Sequence, residues 1–129
     1  MKIIQLILLS FLVSACNPAK SVKNDQPNAA LYQKWIDSRE ENSTNSVSNI
    51  YRPSNFKTFP ASRFRMAYTF RKNGTCTYRW LSPIDKHTSK LCTYTYSKGK
   101  VQLFDSMQKK LEILRIVSLS ANKLVIQKQ

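Results

Sequence analysis

Between Arg63 and Arg71 the chain reads Arg-Phe-Arg-Met-Ala-Tyr-Thr-Phe-Arg, so that large apolar residues recur at every second position. A period of two belongs to a strand with one buried face, because successive side chains leave a pleated backbone on opposite sides. Phe64, Met66, Tyr68 and Phe70 share the apolar face, and Arg63, Arg65, Thr69 and Arg71 share the other. The pattern recurs to the C-terminus, and it predicts strands over 63–71, 75–81, 90–96, 101–104, 111–119 and 124–127. Six short strands joined by tight turns make an all-β antiparallel meander. The chain has only two glycines, Gly74 and Gly99, and both fall at predicted turns. Asn73-Gly74 is the pair that two-residue hairpins favour, since both central positions of such a turn need positive φ.

The region before Arg63 is less regular. Leu31-Tyr32-Gln33-Lys34-Trp35-Ile36 is the first stretch after the N-terminal segment able to bury anything, as a short helical turn or an opening strand. Residues 37–49 are rich in Asn, Ser and Thr and read as loop. Residues 50–62 hold Ile50, Tyr51, Phe56 and Phe59 but are broken by Pro53 and Pro60. That composition predicts an irregular arm across a core rather than a central strand.

The hairpin loop centred on Ile84 supplies a register. If it is symmetric, Trp80 faces Thr88, Tyr78 faces Lys90, and Cys76 faces Cys92. The two sulfurs then lie on paired strands and on one face, and a Cys76–Cys92 disulfide is expected. With His87, the chain's one histidine, these cysteines would make only three candidate zinc ligands. Nothing in the chain calls for a metal or a cofactor.

Compartment is read from the N-terminus. Lys2 precedes an apolar run, Ile3 to Val13, too short to span a bilayer as a permanent helix, and Asn17-Pro18 stops it. The ending Val13-Ser14-Ala15-Cys16 resembles the lipobox of bacterial lipoproteins. That resemblance implies that residues 1–15 are a signal peptide and that Cys16 is acylated. Residues 16–30 then form a tether to the membrane, and residues 31–129 form the domain. By the same analogy Asn17, where an Asp would retain the protein at the inner membrane, implies outer-membrane attachment. Export also makes the compartment oxidising, as a disulfide requires.

The chain carries 21 Lys and Arg against 7 Asp and Glu, a formal charge of +14. Such an excess implies a polyanionic neighbour or simple colloidal repulsion. Export argues against nucleic acid, and an anionic membrane is already at hand. Each cation held near such a surface adds about 1 kcal/mol of attraction. Arg63, Arg65 and Arg71, joined by Arg79 from the next strand, read either as a solvated outer face or as a docking stripe. The docked group would be the phosphates of an anionic lipid or an acidic envelope polymer.

Several segments resemble small lipocalin-like domains of Bacteroidetes-type lipoproteins. They are Leu31 with Trp35, the turn and strand from Phe70 to Tyr78, Thr93-Tyr94-Thr95-Tyr96 with the Lys98-Gly99-Lys100 turn, and the ending Ile116 to Ile126. The resemblance implies that the meander closes into a barrel or half-barrel whose interior can hold a hydrophobic or amphipathic ligand. Tyr68, Tyr78, Trp80, Tyr94 and Tyr96 all fall on faces assigned inward. They read either as packed core or as the lining of a pocket, because each buried polar tip needs a partner.

Catalysis has little to stand on. Ser82, Asp85, Lys86, His87 and Ser89 share one polar loop, without a nucleophile elbow or oxyanion hole. Glu40 and Glu41 are adjacent, so in extended chain they point apart. The sequence therefore reads as a non-catalytic envelope lipoprotein that binds a ligand or an anionic component. The competing reading is a solid-cored protein that docks another envelope protein.

Overall fold

The computed structural model describes residues 25–61, 64–81, 83–84 and 86–129. Eight strands close into one antiparallel barrel: β1 (Lys34–Asp37), β2 (Ser48–Pro53), β3 (Ala67–Phe70), β4 (Thr75–Leu81), β5 (His87–Ser97), β6 (Lys100–Phe104), β7 (Lys110–Leu119) and β8 (Leu124–Lys128). From β3 to β8 each strand pairs with the next, as the alternation predicts. The remaining gap, between β8 and β3, is closed by the β1–β2 hairpin, with β2 against β8 and β1 against β3.

This closure corrects two expectations. Residues 48–53 are a barrel strand paired on both sides, not part of an arm. Pro53 is tolerated because it is the last residue of β2, where a missing N–H interrupts nothing beyond it. The arm begins after it. Because β2 and β3 flank β1, the chain after Pro53 must pass β1 to reach Ala67. It does so outside the barrel: Arg52 lies on the face opposite buried Tyr51 and Pro53, and its guanidinium sits 4.5 Å over the Phe56 ring. The other correction is β3, which is only four residues long. Before it the chain still runs beside β1, with Asp37 N–H donating to Met66 O at 2.9 Å, but Arg65 is buried against Glu40 and Pro60.

Turn chemistry also differs from expectation at one hairpin. Between β3 and β4 only Gly74 has positive φ (85°), and Arg71 N–H donates to Thr75 O at 3.0 Å. This is a three-residue loop with glycine in the left-handed position, not a two-residue turn. The two-residue form occurs between β5 and β6, where Lys98 (φ 50°) and Gly99 (φ 75°) are both left-handed and Ser97 pairs with Lys100.

The buried side chains form one cluster inside the barrel. Trp35, Tyr51, Tyr68 and Phe70 are its largest fully buried side chains, joined by Leu31, Val101, Leu103, Leu114 and Leu124. Each such side chain stabilises the fold by about 1.5–3 kcal/mol through removal of apolar area from water. One end is stoppered by a 3-10 turn, Ala29–Leu31, whose Asn28 side chain caps Ala30 N–H at 2.9 Å. Leu31 is wholly buried there and its carbonyl accepts from Trp35 Nε1 at 3.0 Å. A register shift between Ile116 and Ser118 leaves Val117 as an extra residue in β7 and bends the strand.

Candidate functional site

The register expected from the Ile84 hairpin is the one found: Trp80 faces Thr88, Tyr78 faces Lys90, and Cys76 faces Cys92. Cys76 and Cys92 are disulfide-bonded across β4 and β5, their Cα atoms 4.9 Å apart. Cys16 lies outside the described residues, and so do residues 1–24 as a whole.

The five aromatic candidates separate into core and rim. The Tyr68 ring lies 5.7 Å from Tyr51 and 5.9 Å from Phe70, and Phe70 meets Tyr94 edge-on at 5.3 Å. Tyr68 donates to Glu112 Oε1 at 2.5 Å, and Tyr94 donates to Arg71 O at 2.5 Å. Burial pushes the Tyr94 hydroxyl up to about 12 and those of Tyr51 and Tyr68 well above the ordinary tyrosine range. These are packed core residues with satisfied tips. Tyr78 and Tyr96 are half-buried against that core. Trp80 is half-buried and carries Lys90 Nζ 3.7 Å above its ring.

The opposite end of the barrel from Leu31 holds carboxylates that the sequence reading passed over. Glu112 pairs in register with Leu103 and therefore faces inward, where it accepts from Tyr68 and lies 3.7 Å from Lys128 Nζ. Asp37 follows Trp35 by two on β1 and is 8% exposed, with no hydrogen-bond partner for Oδ1 among the described residues. Desolvation raises its carboxyl above the usual range, opposed by Arg39 nearby at 4.0 Å. An acidic residue at an inward position of an otherwise apolar strand was the available signal for both.

Among the described residues the arginines do not form a continuous stripe. Arg63 lies outside the described residues. Arg65 is 6% exposed: its fork grips Glu40 at 3.0 and 2.6 Å and donates to Asp37 O at 2.7 Å and Pro60 O at 3.0 Å. It is therefore buried and paired, not a face for phosphates. Arg79 is half-buried and donates to Arg65 O at 3.2 Å, which leaves Arg71 exposed at the β3–β4 turn. Of the polar loop set, Ser82 and Asp85 lie outside the described residues. His87 and Ser89 are exposed on β5, and the His87 ring meets Phe64 at 5.5 Å.

The acidic residues are drawn into the structure. Glu41 takes a bidentate pair from Arg52 at 2.9 and 2.7 Å, and Lys57 lies 3.7 Å away. Arg65 and Arg52 hold the Glu40 and Glu41 carboxyls down at about 2. Asp105 Oδ1 accepts from Met107 and Lys109 N–H within its own turn, both at 2.9 Å, and Asp25 accepts from Lys98 N–H. Every acidic residue described is thus engaged, while Lys34, Arg71, Lys72, Lys98, Lys100, Lys109, Lys110 and Arg115 remain exposed.

Two clefts open at the surface beside β5. A cleft of about 560 Å³ opens between β5 and the β6–β7 turn, lined by Tyr78, Lys90, Leu91, Asp105, Ser106 and Leu111. A smaller one of about 270 Å³ adjoins it along Leu91, Cys92 and Gln108. Neither is lined by Tyr68, Trp80, Tyr94 or Tyr96. Comparison with known protein families, with curated proteins and with solved structures finds no match to this chain.

Proposed function

We propose that this protein is a non-catalytic, lipid-anchored lipoprotein of the bacterial envelope that works through its outer surface. It holds an anionic envelope component against a basic, solid-cored barrel, with Cys16 as the acylated attachment point. The observation that carries this reading is the engagement of every described acidic residue in the fold's own contacts. Lys34, Arg71, Lys72, Lys98, Lys100, Lys109, Lys110 and Arg115 consequently stand exposed while the described acids are already engaged. The packing of Tyr68 and Tyr94 into the core supports a surface role over an interior cargo.

The anchor is tested by expressing the full chain in a bacterial host fed an alkyne-tagged fatty acid. The protein should take up the label and fractionate with membranes, and Cys16→Ala should abolish both. Unlabelled wild type, or label retained by Cys16→Ala, defeats the anchor.

A further inference from the structure

Strand β5 is eleven residues long, but its two neighbours cover it unequally. Strand β4 pairs with His87 through Thr93, whereas β6 begins pairing only at Thr93. Along His87–Leu91, therefore, no described residue pairs with the second edge of β5. An open edge presents a row of backbone donors and acceptors that another extended chain can complete.

The surroundings select what can complete it. The cleft lies directly beside this edge, with Leu91 (73% exposed) and Leu111 (39%) on its walls. Lys90 and Leu91 point to opposite faces of β5, so an added strand meets a cation on one face and an apolar side chain on the other. Lys109 and Lys110 stand exposed at the neighbouring turn, where the local acid, Asp105, is already bonded to its own backbone. A lipid surface cannot satisfy the open amides, which would be desolvated without partners. A second copy of the chain would bring another +14 against the same lysines.

We infer that the β5 edge at His87–Leu91, with the cleft between Lys90 and Leu111, is a strand-addition site for an extended acidic segment of a partner protein. In that segment apolar residues alternate with Asp or Glu. The inference does not depend on the lipid anchor.

The test uses an eight-residue capped peptide of alternating Glu and Val and the purified full chain, followed by amide hydrogen exchange. The peptide should slow exchange at His87–Leu91. Leu91→Asp and Lys110→Glu, both at exposed positions, should each weaken binding about tenfold or more without changing the melting temperature. The same peptide N-methylated at alternate amides should not bind. Equal binding by the methylated peptide would reduce the contact to charge alone and overturn strand addition, while leaving a basic binding surface in place. No binding, or protection elsewhere, also overturns it. Protection of the same amides by self-association or by anionic vesicles would assign the edge to a second copy or to lipid instead.

Discussion

Arg65 shows how partners distant in sequence can bury a charged side chain. Period-two alternation places it outward beside Arg71, and a strand isolated from the rest of the chain would leave it there. Its destination depends on Glu40, Asp37 O and Pro60 O, and Glu40 and Asp37 lie more than twenty residues away in sequence. Alternation along one strand cannot encode a partner on another segment. Glu112 is the converse case: its inward place was readable from its strand, yet its partner Tyr68 was not. Replacing Arg65 by Met leaves the Asp37 and Pro60 carbonyls without their donor. Counting those two groups alone, the loss is about 2 kcal/mol. Arg65→Lys should recover less than half of it, because one ammonium cannot reproduce a planar fork serving three acceptors. Urea unfolding of the three proteins measures this, and equal midpoints for wild type and Arg65→Met would reject the role.

At the scale of elements, legibility was uneven: β5, expected over 90–96, runs His87–Ser97. The bounds expected for β4 are those found, and β7 and β8 differ by a single residue, because their alternation is long or their turns are sharp. β1 offers four residues, too few to separate a strand from a helical turn, and β2 is obscured by Arg52 and Pro53. Their insertion between β8 and β3 follows from which edges remain to be closed, and local pattern does not carry that information. The turns make a sharper case, since residue type at left-handed positions has a direct cost. Gly99 has φ 75° with nothing within 4 Å of a built Cβ, so Gly99→Ala is opposed by backbone strain alone, about 1–2 kcal/mol. Lys98 already bears part of that strain at φ 50°. Asn tolerates this region better, so Lys98→Asn should raise stability by about 0.5 kcal/mol. Its backbone N–H, which donates to Asp25, is untouched. Thermal melts should move in opposite directions for the two variants, and a shared direction would disprove the turn assignment.

For the molecule as a whole, the net charge of +14 was plain in the sequence, but which carboxylates the fold engages was not. That distinction sets the response to pH. Arg65 and Arg52 hold the Glu40 and Glu41 carboxyls at about 2, below the ordinary 4.5. Their contribution is therefore complete above about 4.5 and is lost as pH falls toward 2. Asp37 acts with the opposite sign: burial favours its protonated form, so stability declines as pH rises from 3.8 through its raised value. Protonating carboxylates also drives the net charge further from zero, which adds self-repulsion on the acid side. The expected profile is a melting temperature that falls steeply between pH 4.5 and 2, less steeply in high salt. Glu40→Gln with Glu41→Gln should lower the neutral plateau and flatten that acid limb. Asp37→Asn should leave the acid limb in place and raise stability at neutral pH, where the wild-type carboxylate is buried and no described residue partners Oδ1. Scanning calorimetry across this range decides the matter. An acid limb unaltered in the double variant would mean that self-repulsion, and not the two arginine pairs, governs acid unfolding.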